Sequence, residues 1–375
     1  MIFSRGNQKI NCSFNINGVP LENTKEYKCL GIPVHKKNCS FNTALKYLRT
    51  KATRALFALR SKVNLNQLPI QTSLKLFDAL IKPILLYASE VWEPYVNNAP
   101  EQWDKNDIER TYLRFLKQIL GVNRSATTAM VRGELNRHSL QEEILRRNIN
   151  YAGYIHVKDD SSIVKQAYTS ELNRTSEEKT FFSTMRKHTA DIHTISNSSF
   201  CPYADPFLNL YLTKKLRQAT EEVFSNKWKQ QLEESTKADS YRMFKTNMKS
   251  EVYLTHPKRK ERVAMTKLRI SDHKLMIEKR RHIRPPIPRE DRKCHMCTTE
   301  VEDEIHFMTD CKLYGSQNTF WTQVTSKFPQ TTNLSKENKF VFIMTQEDPE
   351  ITELLLKTNY KQQQFRNFMF EYFYE

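Results

Sequence analysis

One stretch near the carboxyl end decides how the chain is organised: Cys294-His-Met-Cys-Thr-Thr-Glu-Val-Glu-Asp-Glu-Ile-His-Phe-Met-Thr-Asp-Cys311. Its three cysteines and second histidine (Cys294, Cys297, His306 and Cys311) stand at separations that let four ligands surround one Zn²⁺ ion. The two-residue gap places the first two cysteines in one tight turn, and the last two ligands return from a short turn or helix. Bound metal would replace the core that so short a segment cannot build, so the pattern predicts a zinc-binding turn.

Two other interpretations of this stretch stay open. The three cysteines could be incidental buried residues and His306 a surface histidine, although two spacings must then coincide by chance. His295 could also compete for the metal. We favour His306, because His295 lies inside the turn itself.

The composition points to a polyanionic partner. The chain has 375 residues, enough for two or three domains, and a formal net charge of +17. Such an excess favours nucleic acid, RNA or DNA, over a membrane surface. Outside the cluster the cysteines are scattered and no signal peptide is visible, so we expect a reducing compartment inside the cell, the nucleus or the cytoplasm.

Two classes of protein are disfavoured by simple patterns. The most apolar run of helical length, Leu74–Trp92, contains Lys75, Asp78 and Lys82, which predicts a buried helix and no membrane span. The chain has only seven glycines and each stands alone, so neither common glycine-rich phosphate loop can be written. We therefore expect no small-molecule nucleotide site of the usual kinds.

The first forty residues predict a small amount of β-structure. Alternating apolar residues surround Asn17-Gly18, a favoured hairpin dipeptide. A second strand-like run covers 26–34 and contains the lone Gly31. The Met1-Ile-Phe-Ser start falls almost in mid-strand, as if it continued a sheet from further upstream. We expect residues 1–40 to be the remnant of such a sheet.

From residue 41 to residue 160 the apolar residues recur with helical spacing. The charged residues of the first predicted helix are all positive. Between Phe41 and Val63 the apolar residues fall on one arc, and no aspartate or glutamate occurs. The cations of this segment are Lys46, Arg49, Lys51, Arg54, Arg60 and Lys62. A solvated face normally mixes signs, so we predict that these side chains contact a phosphate backbone. The alternative is an ordinary solvent-exposed helix face.

Further helices are predicted downstream. One covers 71–90 with a kink at Pro83, one covers 102–120 and ends at Gly121, and one opens at a Ser139 capping box and runs to about Val157. Asp159-Asp160 could in principle hold divalent cations, but the flanking Lys158 and serines favour a loop. No catalytic residue is predicted.

The region from 161 to the carboxyl end divides into three expected parts. Residues 161–255 predict a helical spacer with one amphipathic helix over 208–233. Residues 256–293 hold fourteen Lys and Arg against five Asp and Glu, and we predict phosphate contacts there. The basic residues chosen are Lys267, Arg269, Arg280 and Arg281. Residues 316–375 predict a helical tail whose aromatic side chains at 360–374 pack in a core and do not stack on bases.

Several stretches together resemble the carboxyl-terminal half of a LINE-type (non-LTR) retrotransposon reverse transcriptase. Residues 1–4, Asn17-Gly18 and Glu26-Tyr-Lys-Cys-Leu-Gly31 are similar to the closing palm strands and the primer-grip turn. Leu80-Ile-Lys-Pro-Ile-Leu-Leu-Tyr-Ala-Ser-Glu-Val-Trp92 resembles the thumb helix signature and is the most specific match. Lys267-Leu-Arg-Ile270 with His273, followed by the cysteine and histidine cluster, resembles the family's zinc-binding region. The resemblance runs from the first residues to about Tyr314.

The resemblance implies a mainly α fold with a small amino-terminal β-hairpin or sheet remnant. Residues 1–40 would be palm remnant, 41–160 a helical thumb-like domain, 161–255 spacer, and 256–315 the basic region with its zinc knuckle. Residues 316–375, beyond the resemblance, are the helical tail predicted from their own pattern. It also implies RNA-templated DNA synthesis by catalytic carboxylates on palm strands, which would precede the hairpin. We expect this chain alone to bind nucleic acid without polymerising, with the amino-terminal part of the same element's protein as a further partner.

Two alternatives differ in class from this reading. The sequence could be the tail of an active polymerase whose gene model was cut short. It could also be a zinc-dependent protein-interaction adaptor that uses the same turn and helices.

Overall fold

A computed structural model describes residues 13–22, 24–35, 41–93, 96, 100–172, 209–285, 287–311 and 316–373. Over these residues the chain is mainly helical, with two small hairpins near its amino end. The expected fold class, mainly α with a small β part, is confirmed. The strand expected at residues 1–4 and the end of the resemblance at Tyr314 lie outside the described residues.

The two hairpins form because their turns accept left-handed backbone. Strands β1 (Asn15–Ile16) and β2 (Val19–Pro20) pair antiparallel across Asn17-Gly18, whose φ angles are 51° and 79°. Positive φ at both turn residues is what a two-residue hairpin with the right twist requires, so the predicted Asn-Gly hairpin is confirmed.

The second run does not continue as one strand. Strand β3 (Glu26–Cys29) turns at Leu30-Gly31, with φ angles of 46° and 89°, and pairs antiparallel with β4 (Ile32–His35). The single strand-like run over 26–34 was therefore a wrong prediction. Gly31 accepts this turn conformation without steric cost, and the chain reverses at this glycine.

The helices of the described residues follow in chain order. They are α1 Asn42–Lys62, α2 Ile70–Leu80, α3 Lys82–Leu85, α4 Ser89–Trp92, α5 Asp107–Leu120, α6 Thr128–Leu135, α7 Leu140–His156, α8 Ile163–Leu172, α9 Asn209–Glu233, α10 Asp239–Phe244, α11 Arg259–Arg269, α12 Met276–Lys279, α13 Glu304–Thr309, α14 Ser316–Lys327, α15 Lys336–Met344 and α16 Pro349–Phe373. Short 3₁₀ segments cover Pro100–Lys105, Val252–Thr255, Arg280–His282, Arg289–Asp291 and Pro329–Asn333. None of the helices in the described part of the chain combines the length and apolarity needed to cross a bilayer.

The chain divides into two compact units, each assembled from separate segments. The first unit comprises the described residues of 1–63, 74–112 and 138–226, and the second comprises those of 64–73, 113–137 and 227–375. The expected 41–160 domain and 161–255 spacer are thus each shared between the two units. Such sharing follows from long-range packing, which no local composition change along the sequence marks.

Helix α1 buries one face and leaves its cations on the other. Its buried residues are Ala44, Leu45, Leu48, Ala52 and Leu56. The first turn holds no acidic residue, and the last turn holds Arg60 and Lys62 next to the helix carboxyl end, where positive charge is favourable. The predicted helix and its apolar arc are both confirmed.

The helix predicted over 71–90 is broken into three. Helix α2 ends at Leu80, α3 carries Pro83 in its first turn, and Ala88 has a left-handed φ of 53° before α4 begins. A proline lacks the amide that would continue the hydrogen-bond ladder and its ring crowds the preceding turn, so the interruption is stronger than the kink expected. Trp92 closes the segment, fully buried, and its indole Nε1 donates to the Tyr87 carbonyl at 2.9 Å.

The predicted ends of α5 and α7 are confirmed, whereas the predicted start of α5 is wrong. Gly121 has a φ of 72° directly after α5, and the Ser139 hydroxyl accepts from the Gln141 amide at 3.2 Å to open α7, which ends at His156. Helix α5 begins at Asp107 and not at 102, because the Asn106 side chain accepts from the Ile108 amide at 2.9 Å after a 3₁₀ segment.

Each unit has its own core. In the first, one cluster joins helices α7, α8 and α9 through Leu145, Ile149, Ala152, Ile155, Tyr168, Leu216, Val223 and Phe224. In the second, the Trp228 indole donates to the Ala129 carbonyl at 2.8 Å, and a β-carbon at Gly133 would lie 2.6 Å from the Tyr241 hydroxyl oxygen. Only a glycine permits this approach of α6 to α9 and α10.

The aromatic end of α16 is less buried than predicted. Phe365 and Phe368 are 42% and 59% exposed, so the expectation that these rings pack in a core is wrong for both. They lie three residues apart and therefore on one face of the helix. Phe370 is half-buried.

Candidate metal centre

The first two ligands lie on a tight turn closed by backbone hydrogen bonds. The Cys294 amide donates to the Glu300 carbonyl at 2.8 Å, and the Thr298 amide donates to the Cys294 carbonyl at 2.8 Å. Lys293 and Val301 form an isolated antiparallel bridge at the base of this turn. The Cys294 and Cys297 side chains are thereby presented from one knuckle of backbone.

The other two ligands come from a short helix. Asp303 caps α13, and its side chain accepts from the His306 amide at 2.9 Å. The Cys311 amide then donates to the His306 carbonyl at 3.0 Å, so both residues sit on the same turn of chain. The predicted return by a short helix is confirmed.

The four predicted ligand atoms converge. The Cys294 and Cys311 sulfurs lie 3.9 Å apart, and the Cys297 sulfur lies 3.4 Å from His306 Nε2. All four ligand atoms lie within 4.8 Å of one another, an arrangement that could hold one metal ion. Cys294 and Cys311 are each 1% exposed and His306 is 5% exposed, so water is largely excluded. The interpretation as incidental cysteines does not account for this convergence.

His295, the competing ligand considered above, is directed elsewhere. Its ring lies 5.6 Å from the Phe370 ring in an edge-to-face arrangement. Burial lowers the pKa of His295, and the cations around it lower the pKa further. The structure thus groups His306, and not His295, with the three cysteines.

The far side of His306 faces two carboxylates. Its Nδ1 lies 3.4 Å from a Glu300 oxygen and 3.8 Å from an Asp310 oxygen, without the geometry of a hydrogen bond. Lys336 bridges the two carboxylates at 2.9 Å and 2.6 Å. Because Lys336 occupies this acidic pair, we assign the pair no ion of its own.

Protonation of the cluster follows its packing. The hydrogen bond with Cys311, helped by burial, raises the pKa of Cys294 to about 12. Burial alone would lower the pKa of His306, but the Cys294 and Cys297 sulfurs raise it to about 9. Metal binding to this set therefore displaces protons, as it does in thiolate sites generally.

Two buried acids anchor the metal turn to the rest of the second unit. Glu302 is fully buried and receives both arms of Arg366 at 2.7 Å each, and it also accepts from the Met276 amide at 2.7 Å. Glu304 accepts from Ser271 and His273 at 2.6 Å and 2.8 Å. Burial alone would raise the pKa of Glu304, but these partners lower it to about 2.

These anchoring contacts were beyond sequence reasoning. The Glu-Asp-Glu run at 302–304 was visible between the ligands, but its partners lie far away in sequence. Arg366 is 64 residues from Glu302, and no pattern in the aromatic tail marks it as the partner.

The predicted phosphate contacts of α1 have two kinds of environment. Lys46, Lys51, Arg54 and Lys62 are exposed, and Arg49 and Arg60 are half-buried. Arg49 pairs with Asp107 at 2.9 Å, a partner from another element that the one-signed sequence did not reveal.

A further cation that the prediction omitted joins this surface from hairpin β3–β4. Lys28 donates to the Tyr47 hydroxyl at 2.7 Å, and Lys51 lies 5.3 Å from the same ring. The hydrogen bond from Lys28 lowers the pKa of Tyr47. Nothing in the sequence around Lys28 indicates a phosphate contact, because Lys28 is a single lysine in a short strand of mixed polar and apolar residues.

The basic segment before the metal turn contains one clear error of prediction. Arg269 is 2% exposed and pairs with Glu134 at 2.9 Å and Glu251 at 2.8 Å, so it cannot contact a phosphate. Burial alone would lower the pKa of Arg269, but these two carboxylates raise it and keep the group charged. Lys267, two residues earlier, is half-buried and lines a cavity.

The other two predicted cations are half-buried. Arg281 pairs with Glu278 at 2.9 Å and donates to the Thr236 hydroxyl at 3.0 Å. Arg280 donates to the Asp291 carbonyl at 3.3 Å. Both are held by their own unit, which limits their reach toward a ligand.

The loop predicted at Asp159-Asp160 is confirmed. It lies between α7 and α8, and the Asp159 carboxylate accepts from the amide and hydroxyl of Ser161 at 2.8 Å and 2.5 Å. These bonds lower the pKa of Asp159 and direct its oxygens to the backbone. The pair is a turn and not a cation site.

Comparisons of this chain with family models, with curated proteins and with solved structures find no match.

Proposed function

We propose that this chain binds RNA or DNA by contacts to phosphate, and that a Zn²⁺ ion held by the cysteine and histidine cluster keeps its basic carboxyl-terminal region in shape. The observation that carries the proposal is helix α1. Its outer face presents Lys46, Lys51, Arg54 and Lys62, while no acidic residue occurs along its 21 residues. Lys28 adds charge next to Lys51. Like charges along one face repel one another, and phosphates opposite to them relieve that repulsion and release counterions.

Zinc is the ion that best suits the four ligands. Three sulfurs and one imidazole are a soft donor set, and four-coordinate sites of this composition hold zinc. Bonds of about 2.3 Å and 2.05 Å place tetrahedral ligands about 3.8 Å apart for two sulfurs and about 3.6 Å for sulfur and nitrogen. The separations of 3.9 Å and 3.4 Å in the cluster lie close to these values.

The metal would act on nucleic acid indirectly, through the segment that leads into it. The Ile277 amide donates to the Glu302 carbonyl at 3.1 Å, and Arg292 donates to the Ile277 carbonyl at 2.9 Å. Helix α12 and the metal turn are therefore joined backbone to backbone. Loss of the ion would weaken the hydrogen bonding between helix α12 and the metal turn, and the cations of the basic segment would then lose their fixed positions.

The zinc part of the proposal predicts selective metal loss. Cys297→Ser and His306→Ala should each remove about one equivalent of zinc from the purified chain, because three ligands hold the ion too weakly. Mass spectrometry under native conditions and limited proteolysis at 290–311 measure the result. The matched control is Cys29→Ser, an exposed cysteine on strand β3. Full retention of metal in both ligand variants would refute the assigned ligands.

The phosphate part predicts a change in salt dependence. Exchanging Lys51 and Arg54 for alanine should lower the slope of log affinity against log salt by about 1.4 to 1.8, since each phosphate contact contributes about 0.7 to 0.9. Fluorescence anisotropy with single-stranded and duplex oligonucleotides gives the affinity at each of several salt concentrations between about 50 and 300 mM. The slope is then read from a plot of log affinity against log salt. The control replaces Lys75 and Lys229, exposed cations on α2 and α9. An unchanged slope would favour the adaptor alternative.

We further propose that this binding serves a LINE-type reverse transcriptase, as its thumb and zinc-binding part. The support is the order of the motifs, together with the buried Trp92 that closes the thumb-like signature and the zinc-suited cluster downstream. Under this proposal the chain acts where the element's RNA and target DNA are found, and it holds nucleic acid without polymerising it. A primer-extension assay with the purified chain tests this, and extension of a primed template would refute it.

A further inference from the structure

The second unit contains a groove that the proposed function has not used. It consists of two neighbouring cavities of about 480 Å³ and 240 Å³. The larger volume lies within the range of about 300–1,000 Å³ that small-ligand sites span, and the smaller one lies below it. The residues shared by the two cavities are Asp272, His273, Lys274, Arg366 and Asn367. We call this feature the carboxyl-terminal groove.

The charges lining the groove are mostly positive. Its cations are Lys237, Lys267, Lys274, Lys279 and Arg366, and its carboxylates are Asp272, Glu278 and Glu371. Arg366 serves the buried Glu302, and Lys237 pairs with Glu278, so the positive charge offered to a ligand comes from Lys267, Lys274 and Lys279. Two of the three carboxylates are engaged already. Asp272 accepts from the Asn123 amide and side chain at 2.8 Å and 2.9 Å, and Glu278 pairs with Lys237 at 2.8 Å. Lys274 is exposed at the junction of the cavities, where an anion would meet its charge.

One aromatic ring stands in the wall of the larger cavity. The Phe370 ring has the Lys279 ammonium 3.2 Å from its centre and the His295 ring 5.6 Å away, edge to face. Arg366 lies 5.9 Å from the same ring centre. Because the Lys279 ammonium covers one face of the ring, a group that enters from the cavity side can stack on that face only by displacing Lys279. An aromatic face beside cations is the arrangement that binds an unstacked base and its phosphate.

Buried hydrogen bonds hold the part of the lining that includes Ser271 and His273. Glu304, buried at 4% exposure, accepts from Ser271, His273 and Ser240 at 2.6, 2.8 and 2.9 Å. These bonds fix His273 and the chain around Lys274. The Asn367 amide on α16 is half-buried in the wall of both cavities and offers both a donor and an acceptor to a base edge.

We propose that the carboxyl-terminal groove takes an unpaired nucleotide of single-stranded RNA or DNA, with its base on Phe370 and its phosphate at Lys274. This inference rests on the proposed function and specifies its partner. The incoming base replaces the Lys279 ammonium on the ring, and Lys279 then turns to the phosphate. A duplex cannot enter, because its bases are stacked within the helix and only an unpaired base can be inserted into a cavity.

The test compares Phe370→Leu with Phe368→Leu. Both exchange a phenylalanine on the same helix, but Phe368 is 59% exposed and does not line the groove. Anisotropy with fluorescein-labelled 12-nucleotide RNA, the same DNA, and a 12-base-pair duplex gives the affinities. Phe370→Leu should weaken single-strand binding about tenfold and leave duplex binding unchanged, while Phe368→Leu changes neither. Whichever single strand shows the loss identifies RNA or DNA as the source.

A second variant keeps the test independent of folding. Lys274→Ala removes an exposed side chain and should lower the salt slope for single strands by about 0.7. Equal losses on single strands and duplex, or no loss in either groove variant, would overturn the groove while the α1 result leaves nucleic-acid binding standing. A wild-type chain that binds no oligonucleotide at low salt would overturn both proposals.

Discussion

Lys267 and Arg269, which are separated by one residue, should have different roles, one in nucleic-acid binding and the other in stability. Substituting each by methionine tests the two roles separately. Arg269 lies in the interior of the second unit, 2% exposed, whereas Lys267 lines the smaller cavity of the carboxyl-terminal groove. We predict that Arg269→Met destabilises the unit and that Lys267→Met weakens nucleic-acid binding without destabilising it. Each variant removes one positive charge and introduces the same methionine side chain, so the two are directly comparable.

The magnitude for Arg269 follows from its contacts. Its guanidinium donates to both oxygens of Glu134 at 2.9 Å and 3.1 Å and to the Met344 carbonyl at 2.7 Å, and it lies 2.8 Å from a Glu251 oxygen. Methionine fills the space but leaves Glu134, fully buried, with its charge uncompensated. Breaking a buried pair from one side costs about 3–5 kcal/mol. Glu251 keeps Lys245 as a partner, so we expect no second penalty of that size.

Urea unfolding followed by tryptophan fluorescence measures the effect on each variant, and hydrogen exchange on peptides from α11 locates it. Adding Glu134→Gln to Arg269→Met should recover at least about 1 kcal/mol, because the stranded charge is then removed while the Tyr253 hydroxyl still has an acceptor. A loss below about 1 kcal/mol in Arg269→Met, or an equal loss in Lys267→Met, would refute the reasoning.

Adjacent acids on α7 should respond to pH with opposite signs. Burial raises the pKa of Glu142, so its carboxylate costs stability at pH 7 and not below about pH 4; Glu142→Gln should raise the melting temperature at about pH 7 only. Burial also opposes charge at Glu143, but the two basic side chains that contact it lower its pKa. Glu143→Gln should therefore be destabilising at about pH 7, and this loss of stability should shrink as the pH falls through the lowered pKa. Gly133→Ala should cost about 1–3 kcal/mol, since the new β-carbon would lie 2.6 Å from the Tyr241 hydroxyl, whereas Gly153→Ala meets nothing within 4 Å and should cost nothing. Thermal and urea unfolding of each variant beside the wild type measure all three effects.

The local features of the fold were predictable because their causes are local. The Asn17-Gly18 hairpin, the Ser139 cap and the ends of α7 depend on residues within a few positions of one another. The four candidate metal ligands were equally accessible to sequence reasoning, because they lie within eighteen residues, and the structure brings their ligand atoms together. Their spacing, and the position of His295 inside the turn, were enough to predict this set.

The errors arose where a partner is distant. Arg269 and Lys267 look alike in the sequence, and what distinguishes them is burial against partners such as Glu134, which lies 135 residues earlier. The positive face of α1 also includes Arg49, which Asp107 partly neutralises. Pro83 was visible, but the left-handed Ala88 that completes the break in the helix has no signal of its own.

These distinctions change what the net charge of +17 means for binding. Arg269, Arg366 and Lys245 are each at most 5% exposed and are paired with carboxylates of their own unit, so they contribute to stability and not to a phosphate surface. The field that nucleic acid meets comes from the remaining exposed cations, of which Arg54 and Lys274 are representatives in the two units. Affinity should therefore follow the number of such exposed cations, and not the formal charge. Removing a buried cation would lower the formal charge by the same amount and leave the salt slope unchanged for as long as the unit stays folded.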